Sequence, residues 1–436
     1  MQDAVFITYP DAVVKEGELP LKTLSRLDLS LFAATHVLPF FPSTSDRGFA
    51  ITDFRSVDER FGCWADLPRP LMIDLVFNHT SASHPWFAQH PEYYLSVDAP
   101  VKTSLFRPRS SPLFTKINNK YYWSTFGPDQ LDLNLYNASL REELDSIVDL
   151  YVRQGATLLR LDAVAYWYKD YHAISTPQTH RYIQSLIDKH PQVVFVVEAN
   201  LDQEAIDSYT CYVHAYNFAL APLVLEALVF ANLQPLVEHL NTPHKNYFNF
   251  LASHDGIGLS AVADRIDTRK LVTYTQGLGW SASDYELNIN YFDALGGDAR
   301  KMLLAHALLL SLRGIPGVYY HSYFGSRGVK SSVPRDANRE QLVYDELLAA
   351  LGEEDSERAR IKAGIDALLK ARIDYLSDQS QAASLEDGLL TLRRGEVTCL
   401  FNFSDTPRKL GVCVRDVVSD EDVRVLEPFG YAWVVE

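Results

Sequence analysis

The chain alternates short apolar runs with segments of helical periodicity, and this alternation restricts its fold more than any other feature. Apolar runs of four to eight residues are typical of strands in a parallel sheet, because helices cover both faces of such a sheet. Eight strand candidates lie near residues 5, 36, 71, 157, 193, 213, 247 and 317. Eight parallel strands with helical crossovers close a barrel, so we predict the α/β class and a (β/α)8 TIM barrel.

Two stretches depart from this alternation and predict additional domains. Residues 80–137 follow the third strand and are too long for a simple loop, so we expect an inserted small domain there. From residue 383 the pattern changes to alternating residues and turns, which predicts a C-terminal antiparallel β-domain over 383–436. The catalytic barrel would then comprise residues 1–79 and 138–375.

Local patterns predict individual helices. Ser139 and Glu142 have the spacing of a capping box, which predicts that a helix begins at Ser139. Apolar periodicity predicts one continuous helix over residues 220–240. Residues 62–70 contain two prolines and leave room for barely two helical turns, so we expect a shortened crossover there.

Charge and cysteine content limit the partners. The formal net charge of -16, with no cluster of Lys or Arg, argues against nucleic acid and anionic lipid surfaces. No apolar run reaches the length of a membrane span, and no signal peptide is recognisable at the start. The four cysteines lack metal-type spacing and are expected to be reduced, buried residues of a cytoplasmic protein: Cys63, Cys211, Cys399 and Cys413. The sequence leaves open whether the protein is a monomer or a homodimer.

Charged residues follow several of the predicted strands where each strand ends. Asp162, Glu198 and Asp255 follow three different strands, and in a barrel these ends meet at one mouth. Arg160 and Asp162 point to the same side of a strand, so we expect Arg160 to keep Asp162 ionised. Each residue alone also has a structural interpretation: the Arg160–Asp162 pair would hold a strand end, and Asp255 would cap a turn.

Together, these endings favour chemistry over structure. Two carboxyl groups that flank a bond are the equipment of glycoside chemistry, because one attacks or supports the sugar carbon and the other protonates the leaving oxygen. The 52 aromatic residues (6 Trp, 24 Tyr and 22 Phe) agree with sugar binding, since aromatic faces stack on apolar faces of sugar rings.

The order of these segments resembles the four signature regions of the α-amylase superfamily: Asp74–His79, Arg160–Val164, Glu198 and His254–Asp255. Within that superfamily the chain resembles the sucrose phosphorylase group over residues 5–339. The resemblance is carried by Leu38–Pro42, Asp46–Phe49, Arg107–Arg109, Phe126–Asp132, His254–Gly258, Tyr291–Leu295 and Arg335–Arg339.

The resemblance implies a phosphorylase that transfers a glucosyl group between an α-glucoside and inorganic phosphate, by a retaining double displacement. Asp162 would be the nucleophile, Glu198 the general acid and base, and Asp255 the stabiliser of the transition state. The residues implied in sugar binding are Asp46, Phe49, His79, Phe126, Arg160, His254 and Arg339. Those implied in binding phosphate or the acceptor are Arg107, Arg109, Tyr285, Glu286 and Asn200. The resemblance implies no cofactor and no metal ion.

Two positions depart from strict sucrose phosphorylases. Glu286 and Asn200 stand where that group carries Gln and His, and both resemble branches that act on sucrose 6-phosphate, glucosylglycerol or glucosylglycerate. Glu286 would repel an anionic leaving group unless a cation such as Arg107 offsets it. We expect the loop over residues 275–290 to rearrange between acceptors. Two alternatives remain open: a glucosidase or transglucosidase that uses no phosphate, and a non-catalytic barrel scaffold.

Overall fold

The computed structural model describes residues 4–105, 107, 111–243, 246–331, 333–376 and 380–435. Among these residues, eight parallel strands close into a barrel in which chain neighbours are also spatial neighbours. We number the barrel strands β1 (Val5–Thr8), β2 (Ala34–Val37), β3 (Leu71–Leu75), β4 (Ala156–Leu161), β5 (Val194–Val197), β6 (His214–Tyr216), β7 (Tyr247–Phe250) and β8 (Ile315–Tyr319). All eight lie where the alternation predicted them, so the predicted architecture is confirmed.

Strand β4 shows how the apolar pattern positions charge. Leu158, Leu159 and Leu161 are fully buried, because helices cover the outside of the barrel and side chains fill its inside. Arg160 is paired in register with Asp74 of β3, one residue before the end of each strand. The only charged residue of β4 therefore lies inside the barrel beside a carboxylate.

The α-helices of the described residues vary from one turn to five. Their bounds are Pro20–Leu24, Pro85–Gln89, Ala138–Arg153, Pro177–Lys189, Gln203–Thr210, Leu220–Phe230, Gln234–Leu240, Thr268–Gly277, Tyr291–Ala294, Ala299–Ser311, Tyr320–Tyr323, Tyr344–Gly352 and Glu357–Tyr375. Short 3-10 helices occupy Asp46–Gly48, Trp64–Asp66, Pro91–Tyr93, Val164–Tyr166, Ser260–Val262 and Pro334–Asn338. The turn Trp64–Asp66 is the helical part of the shortened crossover that residues 62–70 predicted.

Two helix predictions are wrong in detail. The helix after the inserted segment begins at Ala138 because Asn137 is its cap, and the Asn137 side chain accepts a hydrogen bond from the Leu140 amide at 3.1 Å. The stretch 220–240 forms two helices rather than one. Ala231 has a left-handed backbone (φ 54°), which ends the first helix before the second begins at Gln234.

Small sheets lie between the third and fourth barrel strands. His79–Ser81 pairs with Gln130–Asp132, and Lys120–Trp123 pairs with Ser96–Val97 and Phe114–Ile117. The pairing of the first and last of these strands brings both ends of the inserted segment to the barrel mouth. A second insertion follows β7, where Glu286–Asn288 pairs with Ile257–Gly258 and with Ser281–Ala282.

The last part of the chain is antiparallel, as the alternating pattern predicted. One sheet contains Gln381–Glu386, Leu389–Arg394, Val397–Asn402 and Tyr431–Val435, and a hairpin contains Arg408–Asp416 and Glu421–Leu426. Two further short strands, Val13–Val14 and Leu342–Val343, pair in parallel away from the barrel ring. The bounds that we assigned to the three domains stay predictions.

Two sequence expectations concern surfaces. Cys63, Cys211 and Cys413 are exposed and Cys399 alone is buried, so the expectation of four buried thiols is wrong for three of them. These three lie on short turns and on a surface hairpin, which their sequence spacing does not reveal. Within the described part of the chain, no helix has the length and apolar character needed to span a bilayer.

Candidate active site

A polar pocket opens at the C-terminal ends of the barrel strands. It encloses about 530 Å³, part of which is continuous with solvent. Its lining residues are Asp46, Phe49, His79, Phe126, Gln130, Arg160, Asp162, Ala163, Glu198, Asn200, His254, Asp255, Tyr285, Glu286 and Arg339. Fourteen of the fifteen site residues named from the sequence are described by the structure, and all of these except Arg107 meet in this pocket.

Arg160 is the charged centre of this pocket. Its guanidinium is 3% exposed and donates hydrogen bonds to Asp74 and to Asp162, the latter at 2.8 Å, while Glu198 lies 3.9 Å away. Burial opposes the charge of Arg160, but Asp74 and Asp162 outweigh burial and hold its pKa well above the usual range. The Tyr216 ring covers the guanidinium at 5.2 Å. One permanent cation is thus shared by three carboxyl groups.

Burial and neighbouring carboxyl groups oppose the expected effect of Arg160 on Asp162, so the expectation that Arg160 keeps Asp162 ionised stays a prediction. Burial raises the pKa of Asp162 well above its usual value, Arg160 lowers it, and Glu198 and Asp74 raise it again. Burial is also the main cause that raises the pKa of Glu198, against the opposing effect of Arg160. Burial therefore works against ionisation of both carboxyl groups, and Arg160 works for it.

A strained backbone positions Glu198. Ala163, directly after Asp162, has a left-handed conformation (φ 49°), which is uncommon for a residue with a Cβ. This turn directs the Ala163 N–H to the Glu198 carboxylate at 2.8 Å. The amide of Val164 also donates to the Glu198 carbonyl at 3.1 Å. The ends of β4 and β5 are therefore joined at the residues that carry the two carboxyl groups.

A second cation closes the opposite side of the pocket. Arg339, which is 6% exposed, lies 3.7 Å from Asp46 and 3.5 Å from Asp255, and its Nε donates to the His254 carbonyl at 3.1 Å. Asp46 and Arg339, both implied in sugar binding by the resemblance, therefore contact each other. Because Arg339 also contacts Asp255, both ends of this cation are neutralised by carboxylates of the pocket.

Two neutral histidines lie on the pocket wall. Burial lowers the pKa of His79 to about 4 and that of His254 to about 3, so both rings are uncharged at neutral pH. The His254 ring stacks on Phe49 at 5.0 Å, and the Phe126 ring lies 5.4 Å from His79. These flat faces surround the carboxylates with apolar surface of the kind that packs on sugar rings.

The outer wall of the pocket combines the loop after β5 with the hairpin after β7. The Asn200 amide donates to the Tyr285 hydroxyl at 2.7 Å. Gly256 permits the close approach of Glu286, because a Cβ at this position would lie 2.6 Å from the Glu286 side chain and 2.5 Å from the Leu287 carbonyl. The strand Glu286–Asn288 places this segment in an antiparallel sheet, which the loop expectation for residues 275–290 did not foresee.

Of the two arginines expected to bind phosphate, Arg107 is described by the structure and is not part of the lining. Arg107 donates to the Thr125 carbonyl at 3.1 Å and is partly buried, and burial lowers its pKa. Asp132 and Tyr166 are its charged and titratable neighbours, and Arg107 is not among the residues that line the pocket. Arg109 lies outside the described residues.

Several residues at the site were missed by the sequence argument. Gln130 lines the pocket, and its amide donates to Asp46 at 3.1 Å. His36 lies 2.8 Å from Asp74, and a buried Lys169 contacts Asp132 at 3.2 Å. The available signals were polar residues within apolar runs, namely His36 in β2 and Lys169 after three aromatic residues. Among the described residues, no group of three or more His, Cys, Asp and Glu side chains is arranged to hold a metal ion.

The arrangement defines the class of chemistry available. Two buried carboxyl groups beside one guanidinium, set in a pocket with aromatic walls, are the features of enzymes that act on glycosidic bonds. The third carboxylate, Asp255, adds negative charge near the same point.

Comparison with known proteins identifies the family. The family described as "Alpha amylase, catalytic domain" matches residues 28–363. The chain belongs to the alpha-amylase family and, within it, to the sucrose phosphorylase group of glycosyltransferase-type enzymes.

Individual relatives carry the name of a phosphorylase. A protein named glucosylglycerate phosphorylase from Allomeiothermus silvanus is 33% identical, with 100% of this chain and 91% of the relative covered. One of the same name from Spirochaeta thermophila is 35% identical, with 92% and 80% covered. The solved structure of sucrose 6F-phosphate phosphorylase from Thermoanaerobacter thermosaccharolyticum superposes with a TM-score of 0.80 at 22% identity, over 92% of this chain and 94% of the other. At 22% identity, the similarity to this solved structure shows a shared fold.

Proposed function

We propose that this protein is a retaining α-glucoside phosphorylase, which transfers a glucosyl group reversibly to inorganic phosphate and forms α-glucose 1-phosphate. The observation that carries the proposal is the sharing of one buried guanidinium by Asp162 and Glu198, which lie at the ends of neighbouring strands. The relatives named as phosphorylases support the choice of phosphate as the acceptor.

The unequal contacts of Arg160 assign different roles to the two carboxyl groups. Asp162 lies 2.8 Å from the guanidinium and Glu198 3.9 Å from it, so the cation favours the charged form of Asp162 more directly than that of Glu198 and opposes the effect of burial on Asp162. Burial raises the pKa of Glu198, as a general acid requires. Asp162 is then the nucleophile, consistent with the role that the resemblance implies.

In the first half-reaction, an Asp162 oxygen forms a bond to the anomeric carbon while the glycosidic bond breaks. The Glu198 proton moves to the leaving oxygen, so the alcohol departs neutral and a β-glucosyl ester remains. Asp255 stabilises the positive charge that develops at the anomeric carbon, and Arg339 keeps Asp255 in place.

In the second half-reaction, a phosphate oxygen attacks the anomeric carbon and the ester bond to Asp162 breaks. Glu198 now accepts the proton of the attacking phosphate, which returns the enzyme to its starting state. Two inversions give an α product from an α donor. Asp46, Phe49, His79, Phe126, His254 and Arg339 hold the glucosyl ring during both steps.

The phosphate and the leaving group share the outer wall of the pocket. Tyr285 and Asn200 present hydroxyl and amide groups there, and the Arg107 guanidinium donates to the Thr125 carbonyl, next to Phe126 in the sequence. A rearrangement that releases Arg107 from this carbonyl would bring its fork to phosphate oxygens, for which its planar donors are suited. Arg109 is the other candidate for this role.

We propose glucosylglycerate as the first donor to test and sucrose as the second. Two relatives of 33% and 35% identity are named glucosylglycerate phosphorylase, and Glu286 and Asn200 resemble that branch. Glu286 is 6% exposed and accepts hydrogen bonds, so it suits the hydroxyl groups of a small polyol-like leaving group. Arg107 would offset the charge of a carboxylate on the same leaving group.

The test is a donor panel with and without inorganic phosphate: glucosylglycerate, sucrose, sucrose 6-phosphate and glucosylglycerol. We expect α-glucose 1-phosphate from one donor, dependent on phosphate, with the α configuration verified by proton NMR. The Asp162→Asn variant is the control for contaminating activity. Free glucose released equally with and without phosphate would identify a hydrolase instead, and no turnover of any donor would favour the scaffold.

A further inference from the structure

A buried lysine lies next to the pocket without touching it. Lys169 is 3% exposed, and its three N–H groups all have acceptors: the Tyr166 carbonyl at 2.7 Å, Asn78 Oδ1 at 2.8 Å and Asp132 at 3.2 Å. A buried ammonium with complete hydrogen bonding is costly to move, so it fixes the groups around it.

The charges beside Asn78 fix the orientation of its amide. Oδ1 must face the Lys169 ammonium, because an ammonium can only donate. Nδ2 faces the Asp132 carboxylate at 3.3 Å, which can only accept. In the reverse orientation, Nδ2 would face the Lys169 ammonium, where both groups are donors, and Oδ1 would face the Asp132 carboxylate, where both are acceptors. The two charges therefore select the same orientation independently.

This orientation determines which nitrogen of His79 carries the proton. Asn78 Nδ2 is also 3.2 Å from His79 Nδ1, and since Nδ2 can only donate, Nδ1 must accept. Burial keeps the ring neutral, with its pKa lowered to about 4, so the single ring proton lies on Nε2. The Phe49 carbonyl, 3.1 Å from Nε2, accepts from that proton and agrees with the assignment.

We propose that Lys169 and Asn78 are positioning residues that lock His79 in the Nε2–H form, so that its pocket-facing nitrogen donates to a sugar hydroxyl. This inference rests on the proposed function for the identity of the sugar. His79 Nε2 belongs to the pocket lining, whereas Lys169 acts through Asn78.

One contact opposes the assignment and makes the test informative. The Gln130 amide nitrogen also lies 3.1 Å from His79 Nε2, and its orientation is fixed by donation to Asp46. In the Nε2–H form, these two donors lie side by side on the wall of the pocket. When a sugar binds, one of its hydroxyl oxygens would share the Nε2 proton with the Phe49 carbonyl and would also accept from the Gln130 amide. In the other tautomer, with the proton on Nδ1, the Gln130 amide would donate to Nε2, but the Asn78 Nδ2–H and the His79 Nδ1–H would be two donors facing each other.

The first measurement is the tautomer of His79 in the protein without sugar, by nitrogen NMR of histidine-labelled protein. His79→Gln assigns the signal among the 13 histidines. We expect Nε2–H in the unaltered protein and Nδ1–H in Asn78→Asp, because an Asp oxygen accepts from Nδ1. Asn134→Asp is the matched control, since Asn134 follows Leu133, whose amide donates to the Asn78 carbonyl, and its own side chain contacts the Glu92 carbonyl at 3.4 Å instead of His79. Nδ1–H in the unaltered protein, or an unchanged tautomer in Asn78→Asp, would overturn the proposal.

A second, double variant removes the buried charges of Lys169 and Asp132 without introducing a new charge. Lys169→Met combined with Asp132→Asn leaves no buried ion unpaired, and we expect the two tautomers of His79 to coexist in it. A single Nε2–H signal in this folded double variant would show that the charges are not the cause and would overturn the role of Lys169.

The second measurement connects the tautomer with sugar recognition. The kcat/KM of α-glucosyl fluoride is compared with those of its monodeoxy analogues. We expect loss of the hydroxyl that meets His79 to cost the unaltered enzyme about tenfold, and Asn78→Asp to reduce that cost to about twofold. An unchanged discrimination in Asn78→Asp would overturn the recognition role. If no glucosyl fluoride reacts at all, the proposed function fails, while the NMR result still decides the tautomer.

Discussion

Replacing Arg160 by Met tests how the pocket tolerates its carboxylates. The substitution keeps an apolar stem of similar length but removes the cation that contacts Asp74 and Asp162. In the native protein, His36 and Arg160 together outweigh burial and lower the pKa of Asp74 to about 2. Without Arg160, a fully buried carboxylate loses one of its two partners, and we expect destabilisation of about 3–5 kcal/mol at pH 7.

Protonation sets a ceiling on this loss and gives it a pH dependence. A carboxyl group with a usual pKa of 3.8 can be neutralised at pH 7 for about 4.4 kcal/mol and at pH 5 for about 1.6 kcal/mol. In the variant, burial raises the folded-state pKa of Asp74 above its unfolded value, so the folded state binds the extra proton. The deficit in the free energy of unfolding should therefore shrink by up to about 2.7 kcal/mol as the pH falls from 7 to 5.

The assay is urea unfolding followed by circular dichroism at both pH values. Arg269→Met is the matched control, because Arg269 contacts Asp267 at 2.9 Å on the surface with 84% of its side chain exposed. An exposed pair of this kind contributes about 0–1 kcal/mol, so the control should change little at either pH. A loss below about 1 kcal/mol for Arg160→Met at pH 7, or the same loss at both pH values, would refute the reasoning.

Three further predictions concern single residues. Asp162→Asn should lower kcat by at least about a thousandfold with the fold retained, because an amide cannot attack; turnover and thermal unfolding measure this. Glu198→Gln should lose about 10²–10⁴-fold with donors that need a protonated leaving group and far less with α-glucosyl fluoride. His306→Gln should reduce the loss of stability between pH 7 and pH 5 by about 2 kcal/mol, because burial lowers the pKa of His306 to about 4 and the folded state resists its protonation.

A different result would contradict each of these three predictions. Activity of Asp162→Asn near that of the unaltered enzyme would exclude Asp162 as the nucleophile. Equal losses for Glu198→Gln with both kinds of donor would exclude the general acid role. The His306 prediction uses urea unfolding at the two pH values, and parallel curves for the variant and the unaltered protein would refute it. The stability that buried neutral His306 contributes is present above pH 6.5 and is lost as the pH falls toward 4.

The carboxylates could be found from the sequence because their positions depend on local pattern. Asp162 and Glu198 directly follow apolar runs, and the C-terminal ends of parallel strands meet in any barrel. Helix ends were less predictable, as Asn137 shows. The predicted helix start at Ser139 and the observed cap at Asn137 differ by two residues. Both residue types can cap a helix, and the hydrogen bond from the Leu140 amide to Asn137, which is seen only in the folded chain, identifies Asn137 as the cap.

Protonation states required the three-dimensional structure. The spacing of Arg160 and Asp162 correctly indicates their contact, but the pKa of Asp162 is set by burial and by two carboxyl groups from other strands. Arg107 is similar, because its sequence neighbours indicate a phosphate site while the structure pairs it with the Thr125 carbonyl and leaves it out of the pocket lining. A pKa or a contact that depends on residues from distant parts of the chain cannot be predicted from a local sequence pattern.

The sequence by itself determined the barrel, its two additional sheet regions and the three carboxylates at the mouth, since strand periodicity and chain order are short-range properties. The tertiary structure alone decided how protons are distributed among those groups. Lys169 reaches Asn78 from a separate crossover, and Gln130 reaches Asp46 across 84 positions of sequence. Hydrogen-bond direction and pKa depend on which donors and charges meet in a buried space, and that meeting is fixed only when the whole barrel closes.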